Sequence, residues 1–289
     1  MSNIKSSSLL LLASCCSAPA AYADSISLPI WKEKAEALGY ELPKPIGFNL
    51  SYMSMEQGIN VDSIALNDLQ TGSKLLNKLL ASNFLGFDIE AEPGRQKTEV
   101  VTLRADVWLF PFLNVYGLVG KIKGYSETDI NAYVTIGGKR VNANKPIPGS
   151  FKLDLDGYTT GGGIVLAGGY ENVFALVDAS YTQSTLTVID GSIDAIVISP
   201  RVGYDFNHTG VPLRVWAGAM YQDVEQELSG SISDIIPGIG GTFEVTQHLS
   251  TTWNPIMGAQ YKINDDWYLL GEAGFGDRES VFVSIDRRF

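Results

Sequence analysis

The sequence has no run approaching the ~18–20 consecutive apolar residues of a membrane-spanning helix, which excludes a helix-bundle membrane protein. Cysteine is nearly absent. The only two, Cys15 and Cys16, lie in an N-terminal stretch with the marks of a removable signal, so neither a disulfide framework nor thiolate chemistry is expected. Histidine is equally scarce, with His208 and His248 alone, and no metal-ligand spacing occurs. No Gly-rich phosphate loop is present either, so no metal and no cofactor are expected. Cations are outnumbered, 21 Lys and Arg against 32 Asp and Glu, and the resulting net charge of −11 argues against a nucleic-acid partner. What is plentiful is 30 Gly, 13 Tyr, 12 Phe and 5 Trp, with a mean hydropathy near zero. That mixture suits strands and tight turns.

The N-terminus begins with the short basic "MSNIK", continues with the apolar "SSSLLLLASCC" and ends in the small-residue "SAPAAYA". Ala21-Tyr22-Ala23 is an A-x-A-like cleavage site, so residues 1–23 read as a signal peptide and Asp24 as the first residue of the exported chain. Cleavage removes one basic residue, Lys5, and leaves a net charge of −12. A lipobox reading competes, because Leu12-Ala13-Ser14-Cys15 would make Cys15 a lipid-bearing first residue. A signal that short falls below the usual ~15–30 residues, which favours Ala23.

Residues 24–45 include a short helix candidate, "WKEKAEALGY", and the break "LPKPIG", and are assigned as a periplasmic N-terminal segment. From residue 46 onward the period is two. Ile46, Phe48, Leu50 and Tyr52 share one parity; Val101, Leu103, Ala105, Val107 and Leu109 share another. Leu118 and Ile122 alternate with Lys121 and Lys123. Val173, Ala175, Val177, Ala179 and Tyr181 follow, then Ile196, Ile198, Val202, Tyr204 and Phe206, then Leu213, Val215, Ala217, Ala219 and Tyr221. With "WNPIMGAQYKI", "WYLLGEAGFG" and the terminal "ESVFVSIDRRF" the chain has about ten such runs, and eight or twelve are admissible counts. Most match the ~9–11 residues of a tilted membrane strand. The connectors PFLN, YEN, NHTGVP and NDD are short, whereas 58–97, 127–157 and 227–250 are long and irregular, with a helix candidate at 68–84. Aromatics gather at run ends, among them Trp253, Tyr261, Trp267, Tyr204, Phe206, Phe110 and Phe112. Short turns at one end, long loops at the other and aromatic strand ends predict an all-β fold: a transmembrane up-and-down antiparallel barrel over residues 46–289.

The last strand ends on Phe289, preceded at alternate positions by Ile285, Val283 and Val281. In this ending, together with the signal peptide and the alternating runs, the chain resembles the outer-membrane β-barrel proteins of Gram-negative bacteria, small porin-like barrels included. Arg287 departs from the pattern, which expects an apolar or aromatic residue there. The resemblance implies location in the cell outer membrane, contact with its lipids and lipopolysaccharide, and recognition of the terminal strand by the barrel assembly machinery.

Lumen parity collects Arg104, Asp106, Asp178, Arg201, Arg214, Lys262 and Glu272. In a narrow barrel these are expected to pair across the interior, as a salt-bridged filling or as a narrow pathway for small solutes. A non-enzymatic structural, surface-interaction or channel role is therefore expected. The enzymatic alternative is an outer-membrane hydrolase, since His248-Leu249-Ser250 resembles the H-x-S of lipid A deacylases and Glu272 is the candidate third member. By extrapolated parity His248 and Ser250 share the lumen side. Thr251 stands where that family has Asn, and His208 reads as a solvated turn residue.

Overall fold

A computed structural model describes residues 28–187, 190–234 and 238–289. The signal-peptide and lipobox readings fall within residues 1–27, outside the described residues. The strands are β1 Ile46–Gln70, β2 Leu85–Ala91, β3 Gly94–Phe110, β4 Leu113–Ile136, β5 Lys139–Arg140, β6 Ile147–Asp154 and β7 Gly157–Tyr170, followed by β8 Val173–Leu186, β9 Asp190–Asp205, β10 Leu213–Ser231, β11 Gly240–Leu249, β12 Trp253–Lys262, β13 Trp267–Gly274 and β14 Arg278–Arg288. Two helices, α1 Lys32–Ala37 and α2 Lys74–Ala81, complete the described elements beside two single 3₁₀ turns.

Ten of these strands form a closed antiparallel ring in the order β1, β3, β4, β7, β8, β9, β10, β12, β13, β14 and back to β1. The closing pair runs from Gly47 opposite Arg288 to Gln57 opposite Arg278, and the amide of Phe289 donates to the carbonyl of Ile46 at 2.9 Å. The chain is thus hydrogen-bonded to its last residue, because a closed ring has no free edge. Turns at 111–112, 171–172, 206–212 and 263–266 lie at the end that carries Ile46 and Phe289, called here the turn end.

Burial reverses the pattern of a water-soluble β-sandwich. Outside, Leu50, Leu103, Val119, Val202 and Met257 are each half exposed or more, while Asn114 and Ser284 on the inside are 1% and 3% exposed. A large apolar side chain left in water forgoes ~1.5–3 kcal/mol, so a continuous outer belt of this kind requires hydrocarbon. Aromatic residues bound the belt: Tyr52, Tyr158, Tyr181, Tyr221 and Trp253 on one rim, Phe112, Tyr170, Tyr204, Tyr261 and Trp267 on the other. The architecture is that of a ten-stranded transmembrane barrel. Arg287 faces outward at the turn-end rim, its guanidinium 4.6 Å from the Phe289 ring centroid and 5.3 Å from that of Trp267. This stacking lets a cation stand at an apolar position of the terminal strand.

The long connectors differ from expectation. Much of 58–97, 127–157 and 227–250 is strand, because β1, β4 and β10 run on for 25, 24 and 19 residues. Beyond the belt β1 leaves β14 and pairs with β11, β4 leaves β7 and pairs with β6, and β10 leaves β12 and pairs with β11. Close approach marks these hand-overs. A Cβ on Gly58 would lie 2.5 Å from Ser250 Oγ, and one on Gly124 would lie 2.1 Å from the Lys97 carbonyl. In this outer extension the polarity is exchanged: Asp223, Glu225 and Glu227 face out, and an apolar core of Ile59, Phe151, Leu153, Leu228, Phe243 and Val245 fills the inside. Phe151 and Phe243 meet edge to face, with centroids 5.4 Å apart. On β4, Leu118 and Ile122 point inward, Lys121 and Lys123 point outward, and the lipid face ends at Val119. The helix expected within 68–84 is α2, capped by Ser73 Oγ accepting from Leu76 N. It packs on β1 and β2 at the tip of the extension and does not enter the lumen.

Candidate functional site

Inside the membrane-level ring, strand parity points all seven expected charges inward: Arg104 and Asp106 from β3, Asp178 from β8, Arg201 from β9, Arg214 from β10, Lys262 from β12 and Glu272 from β13. They do not form one network. Arg201 and Glu272 make a bidentate pair, Nε to Oε2 at 2.7 Å and Nη2 to Oε1 at 2.9 Å, and Trp216 Nε1 donates to the same Oε2 at 2.7 Å. Their side chains are 15% and 6% exposed. A second chain begins at Asp286, which accepts from Arg288 Nε at 2.9 Å, while Arg288 Nη2 reaches Asp106 at 2.9 Å. Asn114 Nδ2 donates to Asp106 at 2.5 Å, and Arg104 donates to Asn114 Oδ1 at 3.1 Å. Arg104 also stacks 3.6 Å over the Tyr116 ring, and the Tyr116 hydroxyl donates to Asp178 at 2.6 Å. The Arg288–Asp106 bridge passes over β1 at Gly47, where a Cβ would lie 2.6 Å from Asp106 Oδ2. Glycine is needed there for space.

Arg214 and Lys262 stand apart at the turn end. Arg214 pairs with Asp205 at 2.7 Å, and Lys262 pairs with Asp265 at 2.8 Å. The mouth beside them is crossed by residues 28–45. Ile30 N donates to the Leu109 carbonyl, Trp31 packs on Phe110, the Tyr40 hydroxyl donates to the Gly169 carbonyl, Lys44 pairs with Asp266, and Trp108 N donates to the Pro45 carbonyl. This strap leaves a cavity of about 50 Å³ between Glu41–Pro43 and Arg214, Gln260, Lys262 and Tyr268.

Toward the other end the charges give way to a buried glutamine layer. Gln226 donates to Gln96 at 2.9 Å, Gln247 to Gln226 at 2.8 Å, and Ser126 to Gln247 at 3.2 Å. Arg278, 1% exposed, donates to Gln57 Oε1 and to the Thr251 carbonyl. Above this layer lies the apolar core. Sequence reasoning missed Trp216, Asn114, Tyr116, Asp286, Arg288 and the glutamines, although lumen parity marks each of them.

The hydrolase constellation is not assembled. His248 faces outward, contrary to the extrapolated parity, and its Nδ1 lies 2.9 Å from Asp62. Ser250 sits against Gly58, and Glu272 is held inside the lumen by Arg201 and Trp216. The nucleophile–base–carboxylate relay needs consecutive hydrogen bonds, and the described residues show none linking these three. Ser250→Ala is expected to leave the acyl composition of lipid A unchanged on expression, as read by mass spectrometry. His208 lies in the 3₁₀ turn Asn207–Thr209, with Nδ1 3.1 Å from the Asp205 carbonyl.

No family model matches this chain, and no curated protein matches it in sequence. Among solved structures, the outer membrane protein OprG from Pseudomonas aeruginosa aligns with 86% of this chain and 99% of its own at 8% identity and a TM-score of 0.41. An outer membrane channel from Pseudomonas putida F1 aligns with 86% of this chain and 97% of its own at 9% identity and a TM-score of 0.39. The Ralstonia pickettii toluene transporter TbuX aligns with 86% of this chain and 90% of its own at 10% identity and a TM-score of 0.33.

Proposed function

We propose that this chain is an exported, integral outer-membrane barrel that holds a sealed extension above the outer leaflet and serves a structural or surface-interaction role without catalysis. The observation that carries the reading is the apolar core of the extension. Phe243, Leu228 and Ile59 are each at most 2% exposed, which supports an interior closed to water and ions at that level. The strap over the turn end and the paired charges between the two closures support the same reading. In this reading the turn end faces the periplasm, and Val281, Val283, Ile285 and Phe289 on the terminal strand are what the assembly machinery recognises.

Planar bilayers test it. The full-length barrel is expected to insert and show no steady conductance. A stable open level whose ion selectivity reverses in R201E would replace this reading with a small-solute channel. That second reading is favoured by the charged middle of the lumen, and it requires both the strap and the apolar core to move.

A further inference from the structure

At the tip of the extension β4 carries β2 on one side and β5 and β6 on the other. Register aligns the inward face of these strands in apolar rows: Leu85 with Ile136, Phe87 with Val134 and Val141, Ile89 with Ala132 and Ile147. Farther down, the same face carries Phe151 and Leu153, which the apolar core covers. The upper rows are left open, with Phe87, Ile136, Val141 and Ile147 between 41% and 58% exposed. The sheet also has a free edge. Beyond the pair of Ile59 and Gly94, β1 turns to β11, and β2 pairs with β4 alone. Gly137 N donates to the Phe84 carbonyl and Glu92 N donates to the Asp129 carbonyl, so the even-numbered residues of β2 bond to β4. Leu85, Phe87 and Ile89 therefore turn their amides and carbonyls to the open edge, and among the described residues none of these groups is hydrogen-bonded.

Charge at this tip runs against that of the chain, whose net value is −11. Lys74 and Lys78 stand one turn apart on α2, which leads into β2. Lys139 is opposite Ile136, in the row of Leu85, and Lys145 lies in the turn before Ile147. None of the four has a carboxylate opposite it or within ion-pair distance among the described residues. Asp88 and Glu90, on the outer face of β2, are both held by Arg140, each at 2.6 Å, and Asp68 at the end of β1 pairs with none of the lysines. We propose that this edge and face receive an extended acidic segment of another protein by strand addition, with its alternate apolar side chains on the rows of Phe87 and Ile89. Unpaired backbone groups at the edge supply the hydrogen bonds, the open rows bury the apolar side chains, and the lysines select carboxylates. A lipid surface has no ladder of amides and carbonyls to pair with the edge. A second copy meeting tip to tip sets lysine against lysine. The inference rests on the reading of the barrel as a surface-interaction protein whose extension lies outside the membrane.

The test uses the full barrel in nanodiscs of neutral phospholipid, with a short synthetic peptide alternating glutamate and valine as the probe. Wild type is expected to bind it, and to bind neither the lysine–valine counterpart nor a version N-methylated at alternate residues on its pairing edge. K74Q/K78Q/K139Q/K145Q is expected to bind on the order of tenfold more weakly at low salt, and raising the salt brings wild type toward this variant. V141S/I147S, at exposed positions that leave the fold intact, is expected to lose a similar factor, and D223N/E225Q/E227Q on the far side is expected to match wild type. Equal binding of the lysine–valine or N-methylated peptide, or undiminished binding by either tip variant, would overturn the proposal. Lysine-dependent binding to phosphatidylglycerol vesicles in place of the peptide would assign the tip to a membrane, and self-association lost in V141S/I147S would assign it to a second copy; each overturns it as well. Labelling of a cysteine placed at Ser82 in intact cells separates the two readings. A protected tip defeats the outward orientation and the proposal with it, whereas a labelled tip with no peptide binding defeats the strand-addition site alone.

Discussion

Replacing Glu272 with Ala is expected to destabilise the barrel by about 3–5 kcal/mol, read from urea unfolding in lipid vesicles with tryptophan fluorescence. The carboxylate takes three short hydrogen bonds, two from Arg201 and one from Trp216. With both partners mostly buried, its removal leaves a guanidinium in the lumen that water reaches poorly and that, among the described residues, no other carboxylate contacts. Breaking one half of a buried pair costs far more than the pair contributes. R201M/E272L is therefore expected to recover most of the loss, because it removes both charges and keeps the volume. A loss below about 1 kcal/mol in E272A, the range of a solvent-exposed pair, would show that the pair is solvated and that the lumen is wetter than its packing indicates.

The second large effect is expected in the extension. Phe243→Ala should cost about 3–5 kcal/mol, felt almost wholly outside the membrane. Phe243 is 1% exposed and packs edge to face on Phe151 at the centre of the apolar core. The glutamine layer separates this core from the charged lumen, and local stability follows local burial. Limited proteolysis of F243A is expected to cut in the connectors of the extension, around 71–84 and 137–146, while the membrane ring keeps its heat-modifiable migration on gels. If membrane ring and extension unfold together, they form one cooperative unit and the division argued above fails. If F243A resists protease as wild type does, the core is not what holds the extension.

Legibility in the sequence followed polarity. Strand count and turn pattern came from a single rule, apolar outside and polar inside, which holds along the membrane-level part of each strand. In β10 the rule changes without a break in the strand: Val215, Ala217, Ala219 and Tyr221 face lipid, and three residues after Tyr221 the apolar parity moves inward with Val224 and Leu228. Periodicity registers that exchange as the end of a strand, and for this reason 227–250 looked like a loop. The same exchange misplaced His248, whose β11 neighbours Phe243, Val245, Gln247 and Leu249 hold the inner face.

The lumen shows the complementary limit. Alternation alone is enough to aim Arg201 and Glu272 at the interior, yet they sit on β9 and β13, with β10 and β12 between them. Asp106 and Arg288 likewise meet across β1 only because Gly47 has no side chain there. By itself the sequence determined that strands form, that about ten of them ring the barrel, which parity meets lipid along most of them, and that the last strand runs to Phe289. These follow from short-range alternation and turn chemistry, which act within a few residues. Only the tertiary structure decided which charges pair, that a strap crosses one mouth of the lumen and that an apolar core fills the extension at the other, because those outcomes depend on the curvature and register of strands distant in the chain.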